Sequence, residues 1–131
     1  DFITIATTGN AADFGDLIQA RRGGSKGQSS NSTRMIFYGG QTPTAVATID
    51  YVEIATLGNA TDFGDATAGV GVPAAMADAT RAVFAGGDAP GNVNTVNFIT
   101  ILTQGDAVDF GDATIPIAGA NGCSNGHGGL G

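Results

Sequence analysis

The tetrapeptide Asp13-Phe14-Gly15-Asp16 decides the fold, because it returns as Asp62-Phe63-Gly64-Asp65 and again as Asp109-Phe110-Gly111-Asp112. Successive copies start 49 and then 47 residues apart. A β-rich run precedes each copy in the same register: Phe2-Ile3-Thr4-Ile5, Tyr51-Val52-Glu53-Ile54 and Phe98-Ile99-Thr100-Ile101. Self-similarity at a fixed period is the signature of repeat architectures. We therefore expect one repeat domain over residues 1–131, with units of about 1–47, 48–94 and 95–131.

A second landmark predicts how each unit is organised. The run from Arg34 to Tyr38 and its diglycine, Gly39-Gly40, return 47 residues later as the run from Arg81 to Ala85 and Gly86-Gly87. Alternation and turn signals predict four short antiparallel strands in each unit. These are a polar first strand (Gly23–Ser30 or Gly71–Asp78), a second (Arg34–Tyr38 or Arg81–Ala85), a third (Thr48–Thr56 or Thr95–Thr103) and a fourth containing the Asp-Phe-Gly-Asp copy.

Composition supports an all-β chain and excludes some partners. Glycine occurs 22 times and charged residues make up only 13% of the chain, which suits short strands joined by turns rather than surface helices. The formal net charge of −7 argues against nucleic acid as a partner. Four of the five cations, Arg21, Arg22, Lys26 and Arg34, are interpreted as a solvated loop. No apolar run predicts membrane insertion.

The repeated acids could bind a cation, but their pattern favours a structural role. Carboxylates are ligands for Ca²⁺, yet a binding site rarely needs identical copies in every unit. We expect the first Asp to order a turn, Phe to fill the space between units, Gly to allow a bulge and the last Asp to cap the next turn. The predicted structural residues are Asp13, Phe14, Asp16, Asp62, Phe63, Asp65, Asp109, Phe110, Asp112, Gly39, Gly40, Gly86 and Gly87, with no metal and no other cofactor.

Catalytic groups are scarce, so we predict no enzymatic activity. His127 is the only histidine and Cys123 the only cysteine, too few for a zinc site, and no Gly-x-Ser-x-Gly elbow is present. We interpret His127 as a turn residue and Cys123 as a packed free thiol. Arg34 and Arg81 are expected to bond backbone or an acid, and a pairing of Arg81 with an Asp-Phe-Gly-Asp carboxylate is one such hypothesis.

A four-stranded unit with a diglycine after its second strand resembles a kelch β-propeller blade. Three segments carry the resemblance: Phe37-Tyr38-Gly39-Gly40, Tyr51-Val52-Glu53-Ile54 and Phe63. Phe63 stands at a position where kelch repeats usually carry Trp. The chain departs from the kelch pattern because it has no Trp and its third unit lacks the diglycine. A solenoid or a trimeric β-prism is the alternative architecture.

The amino-acid sequence of the repeat is similar to that of kelch-like virion or tail-fibre proteins of marine tailed phages. The segments that resemble them are Thr80–Gly87, the Asp-Phe-Gly-Asp copies and Ser124–Leu130. The resemblance implies a non-enzymatic virion structural protein, part of a tail fibre or surface appendage of the extracellular particle, acting as scaffold or host-surface adhesin. It implies other virion proteins and a host receptor or glycan as partners. The alternative is a cellular or secreted kelch-like protein- or glycan-binding module.

Strand counting predicts assembly. The chain opens with strands three and four of one blade and closes with strands one and two of another, about three blade equivalents, whereas propellers have about four to eight. We expect a partner chain, as in a homo-oligomer, or sequence beyond this chain to complete the ring, with Phe2–Ile5 pairing with His127–Leu130 or its equivalent. Asp at position 1 indicates a processed chain or a fragment. Recognition is expected in the segments that vary between units: Gly23–Thr33, Gln41–Ala47, Val72–Ala79 and Asp88–Asn94.

Overall fold

The computed structural model describes residues 1–123 and is all-β. Its strands are β1 (Lys26–Gly27), β2 (Arg34–Tyr38), β3 (Thr48–Glu53), β4 (Thr61–Asp65), β5 (Ala74–Ala77), β6 (Arg81–Ala85), β7 (Val93–Thr100) and β8 (Val108–Ile117). No helix that could cross a lipid bilayer occurs in this part of the chain. The predicted fold class is therefore confirmed at the level of all-β.

The strands form two sheets that repeat one order. Strands β5, β6, β7 and β8 make an antiparallel meander, and β1 joins the β5 edge in parallel. Strands β2, β3 and β4 make the second meander. In the first meander, Ser29 and Ser30 take the place beside β2 that β5 takes beside β6 in the second. Ser30 forms a β-bridge with Met35, and the Ile36 N–H donates to the Ser29 carbonyl at 2.9 Å. Strands β2 and β6 match the predicted bounds.

The diglycines end β2 and β6 because each turns closely against the end of its own sheet: Gly39 against Val70, beyond β4, and Gly86 against Ile117, the last residue of β8. Gly39 and Gly86 have φ of +62° and +65°, in the left-handed region that favours glycine. A Cβ on Gly39 would lie 2.2 Å from the Val70 carbonyl oxygen, so no other residue fits. The Gly40 N–H donates to that oxygen at 2.8 Å. The diglycines therefore stand where the backbone geometry requires glycine.

The first 20 residues form less regular structure than predicted. In place of two strands, the structure has one antiparallel bridge, between Phe2 and Ala12, whose two hydrogen bonds measure 2.9 and 3.0 Å. This hairpin has no second strand of its own unit beside it within the described residues, and an isolated two-stranded hairpin is only marginally stable. The segment His127–Leu130, predicted to pair with Phe2–Ile5, lies outside the described residues.

Three successive units approach one another closely at Gly27, Ala75 and Gly122, and the lack of a side chain on the two glycines allows the approach. A Cβ on Gly27 would lie 2.3 Å from the Ala75 carbonyl oxygen and 2.7 Å from that of Gly122. Any side chain at Gly27 or Gly122, even that of Ala, would push these segments apart.

The hydrophobic core lies between the two meanders rather than within either one. Ile36, Tyr38 and Phe63 from the first meander pack in one buried cluster with Phe84, Ile99 and Ile101 of the second. The rings of Tyr38 and Phe84 stack at a centroid distance of 3.9 Å. Each unit therefore depends on its neighbour for burial, which is the usual property of a repeat protein.

Candidate recognition surface

Two of the variable segments form loops with the same backbone and different side chains. In the first, the Thr42 N–H donates to the Thr44 carbonyl and the Val46 N–H to that of Gly40, at 2.8 and 2.9 Å. In the second, Ala89 donates to Gly91 and Val93 to Gly87, both at 2.9 Å. The repeat thus fixes the loop geometry, while Gln-Thr-Pro-Thr in one unit becomes Asp-Ala-Pro-Gly in the next.

The two loops lie side by side and enclose a shallow cleft. Gln41 Nε2 donates to Asp88 Oδ2 at 3.2 Å, which joins equivalent positions of neighbouring units. The cleft has a volume of about 390 Å³, and Thr44, Ala68, Ala89 and Pro90 line it together with that pair. A partly polar cleft between loops on a rigid scaffold is the arrangement expected of a recognition surface.

The other two variable segments contain strands rather than exposed loops. Val72–Ala79 contains β5, whose Ala74, Ala75 and Ala77 are buried. Gly23–Thr33 contains β1 and the residues beside β2, and Ser29 and Asn31 within it are buried. Recognition in these two segments stays a prediction.

The Asp-Phe-Gly-Asp motif binds the turn of the next unit through its backbone. The Gly105 N–H donates to the Phe63 carbonyl and the Ala107 N–H to the Asp65 carbonyl, both at 2.8 Å. The Asp65 N–H donates in return to Asp106 Oδ1 at 3.0 Å. We call this set of three bonds, between a Phe-Gly-Asp segment and the Gly-(Asn/Asp)-Ala turn of the next unit, the latch.

The latch occurs a second time with nearly identical distances. Gly58 donates to the Phe14 carbonyl and Ala60 to the Asp16 carbonyl, again at 2.8 Å. The Asp16 N–H donates to Asn59 Oδ1 at 3.0 Å. Glycine is required in both motifs, since a Cβ on Gly15 or Gly64 would lie 2.4 or 2.5 Å from the carbonyl oxygen of the docked turn.

The motif forms a bulge and contacts the next unit through its backbone, while its carboxylates face solvent. The register of β3 and β4 shifts between Ile49 and Asp50, so the bulge expected beside Gly64 is present. The motif carboxylates, however, are exposed. The cap runs in the opposite direction from the prediction, because the side chain of Asp106 or Asn59 receives the N–H of the motif. Because a side-chain oxygen of the turn accepts the N–H of Asp16 or Asp65, the carboxylates of the motif are not needed for this bond and remain exposed to water.

The three phenylalanines are not equally buried. Phe63 is 2% exposed, Phe14 is half-buried and Phe110 is 60% exposed. The prediction of burial is wrong for Phe110, because the described residues contain no following unit to cover it.

We expect calcium to leave the stability of the chain unchanged. Residues 1–123 contain no group of three or more His, Cys, Asp or Glu side chains close enough to hold a metal ion. Thermal unfolding with calcium, with magnesium at equal ionic strength and with a chelator tests this. A rise in melting temperature specific to calcium and reversed by the chelator would contradict the structural role of the acids, because a ligand bound only to the native state stabilises it.

The basic residues and the cysteine depart from several expectations. Arg21 is not in a solvated loop, since its side chain is 2% exposed and its Nη1 lies 3.1 Å from Asp50 Oδ2. Arg34 stacks on Tyr51 and bonds Glu53 at 2.7 Å. Arg81 lies over Phe98 at 4.9 Å and pairs with no motif carboxylate. Cys123 is exposed rather than packed.

A buried polar network that the sequence did not reveal links the units. Asn97 occupies the β7 position equivalent to Asp50 in β3, and both are buried. Asn97 Nδ2 donates to the Tyr38 hydroxyl at 2.9 Å, and Thr67 Oγ1 donates to Asn97 Oδ1 at 3.1 Å. Burial raises the pKa of Tyr38 to about 12, against the weaker opposite effect of the Asn97 hydrogen bond.

We predict a loss of stability above pH 10 that depends on Tyr38. Its pKa rises from 10.0 to about 12 on folding, so the stabilisation is complete below about pH 10 and is lost as pH rises through 12. The loss should reach about 2–3 kcal/mol. Urea unfolding across this range measures it. Tyr38→Phe should have a lower free energy of unfolding at neutral pH, but that free energy should change less between pH 10 and 12 than in the wild type. An equal dependence on pH in both proteins would show that Tyr38 is not the group responsible.

No protein-family model matches this sequence, and none of the curated proteins compared with it matches either. The repeat geometry, the loop cleft and the latch are therefore the observations on which a function can be argued.

Proposed function

We propose that the chain is a non-enzymatic virion structural protein of a tailed phage, built from kelch-like propeller blades and acting in a tail fibre or surface appendage as scaffold and host-surface adhesin. The observation that carries the recognition role is the pair of loops with one backbone and two sets of side chains. An adhesin needs a scaffold that tolerates change at its tips, and loop variation on a fixed meander supplies that.

The blade arrangement is supported by the two meanders and their shared geometry. Each is an antiparallel sheet with a diglycine at positive φ after an equivalent strand, β2 in the first and β6 in the second. Neighbouring meanders bury their core against each other, as packed blades do. The virion role itself is supported by the resemblance of the repeat sequence and of Ser124–Leu130 to the phage proteins.

The first experiment asks whether the chain belongs to the particle. Purified virions of a phage that encodes it are digested and examined by mass spectrometry, with washed host membranes as the background sample. We expect its peptides at the stoichiometry of a structural protein. Absence of these peptides from intact particles would overturn the virion role and favour the cellular binding module.

The second experiment tests the loop cleft. Thr44→Arg places a long charged side chain in the cleft between the two loops. Thr56→Arg makes the same change at the opposite end of β3, on an exposed turn. Binding of the purified proteins to host cells should fall at least tenfold for Thr44→Arg and stay unchanged for Thr56→Arg. Equal binding by both variants would remove the cleft as the recognition surface.

A further inference from the structure

The third Asp-Phe-Gly-Asp copy forms an unused half of the latch. Phe110, Gly111 and Asp112 lie on β8 in the same register against β7 as Phe63, Gly64 and Asp65 lie on β4 against β3. No backbone donor from a following turn reaches them in the described chain. A Cβ on Gly111 would meet no described atom within 4 Å, whereas on Gly15 or Gly64 it would strike the docked turn.

The other half of the latch is exposed at the opposite end of the molecule. Gly9, Asn10 and Ala11 stand in the repeat where Gly58-Asn59-Ala60 and Gly105-Asp106-Ala107 stand. All three are exposed, while Ala60 and Ala107 are buried in their latches. The segment before this turn is equally uncovered: Ile5 is 95% exposed, but Ile101 at the equivalent position is fully buried.

We propose that the Phe110–Asp112 edge binds the Gly9–Ala11 turn of a second copy of this chain, head to tail. The Gly9 and Ala11 N–H groups would donate to the Phe110 and Asp112 carbonyls, and Asn10 Oδ1 would accept the Asp112 N–H. Each bond has a counterpart seen twice within the chain, so the docking geometry is already built into both surfaces.

The apolar surfaces on the two sides also complement one another. Phe63 belongs to one buried cluster with Ile99, Ile101 and Ala107 of the next unit. The equivalent set across the proposed interface is Phe110 against Ile3, Ile5 and Ala11, of which Phe110, Ile3 and Ile5 are exposed large hydrophobic residues. Docking would remove this apolar area from water, which favours association. It would also cover the open edge of β8, which otherwise offers unpaired backbone groups.

Because the two contacting surfaces differ, the interface is heterologous. Repeated head-to-tail contacts close into a ring when the rotation allows it and otherwise extend as a filament. The interface does not depend on any host-surface role, so failure of assembly and failure of adhesion are distinguishable results. Sedimentation and light scattering of the 131-residue chain should show a species larger than a monomer, with a concentration-dependent population.

Two single variants block opposite halves of the interface. Ala11→Arg changes an exposed residue whose equivalents are buried in both latches, and Phe110→Arg changes the exposed ring on the edge. Each variant alone should be monomeric with a wild-type circular dichroism spectrum. Thr7→Arg is the matched control on the same turn, since its equivalents Thr56 and Thr103 stay exposed beside docked turns. It should assemble as wild type does.

Mixing the two blocked variants gives the decisive result. The intact turn of Phe110→Arg can dock on the intact edge of Ala11→Arg, and assembly must then stop at a 1:1 dimer. An interface in which the same surface meets itself would give no rescue on mixing. A wild-type chain that stays monomeric at all concentrations, or two variants that assemble like wild type, would overturn the proposal.

Discussion

Phe63→Ala should lower the free energy of unfolding by about 3–5 kcal/mol, the usual loss for truncating a buried aromatic side chain. Phe63 is almost fully buried and packs edge to face on Tyr51, with ring centroids 6.0 Å apart. Ile99, Ile101 and Ala107 of the next unit belong to the same buried cluster. The truncation leaves a cavity between two units, so the loss includes both the transfer of the ring and the void.

Phe110→Ala is the matched control for this experiment. Phe110 occupies the same place in its unit and makes the same edge-to-face contact, with Phe98 at 6.0 Å. The two positions therefore differ chiefly in the unit that follows. Chemical denaturation in the Ala11→Arg background, where assembly is blocked, should show a change below about 1 kcal/mol for Phe110→Ala, as at exposed sites. Equal losses for the two variants would mean that the interface between units contributes little.

The repeat made much of the fold predictable. The second strands were predicted residue by residue, because the repeat aligns the two β-rich runs and a diglycine marks where each one stops. The first strand was weaker in sequence and is weaker in structure, forming β5 in one unit and little more than the Ser30 bridge in the other. Its length depends on packing between units, which one unit's sequence does not encode.

The sequence pattern did not predict which residues of neighbouring units contact each other. The register of the repeat identifies Gly58 and Gly105 as turn residues, but hydrogen bonds from these turns to Phe14 and Phe63 depend on how neighbouring units pack. Phe110 shows the same limit, because identical local sequence predicts identical burial only when the neighbours are also identical. Variation between repeats marks the two exposed loops that line the cleft, and a recognition role for them stays a prediction.

Asp50 shows that the third strand is covered on both faces. The bulge places its extra residue, Phe63, on β4, while β3 pairs regularly with β2 through Ile49 and Asp50. These neighbouring side chains therefore point to opposite faces, yet both are fully buried, whereas Glu53 at the end of the strand is exposed. The carboxylate then needs a partner, and Arg21 lies 29 residues earlier in the chain, where nothing in the sequence pairs the two residues.

Asp50→Ala should destabilise the chain by about 3–5 kcal/mol, because removing one member of a buried ion pair leaves the other charge uncompensated. Arg21 and Asp50 side chains are 2% and 0% exposed, with Nη1 and Oδ2 3.1 Å apart. The same Oδ2 accepts the Ile18 N–H at 3.2 Å, and Arg21 Nη2 donates to the Phe37 carbonyl at 3.2 Å. The pair therefore fastens the segment after the first hairpin to β2 and β3.

The hydrogen bonding of this ion pair is incomplete, and for that reason we expect that replacing both residues together does not destabilise the chain. Asp50 Oδ1 has no hydrogen-bond partner, and Arg21 Nη1, although within ion-pair distance, lacks hydrogen-bond alignment. Burying two charges costs more than such a geometry returns. Arg21→Met combined with Asp50→Asn should thus equal or exceed the stability of the wild type, because Asn still accepts from Ile18 and already stands at the equivalent position as Asn97. Urea unfolding of both single variants and the double variant closes the cycle. A double variant as unstable as Asp50→Ala would show instead that the charges themselves hold the first hairpin in place.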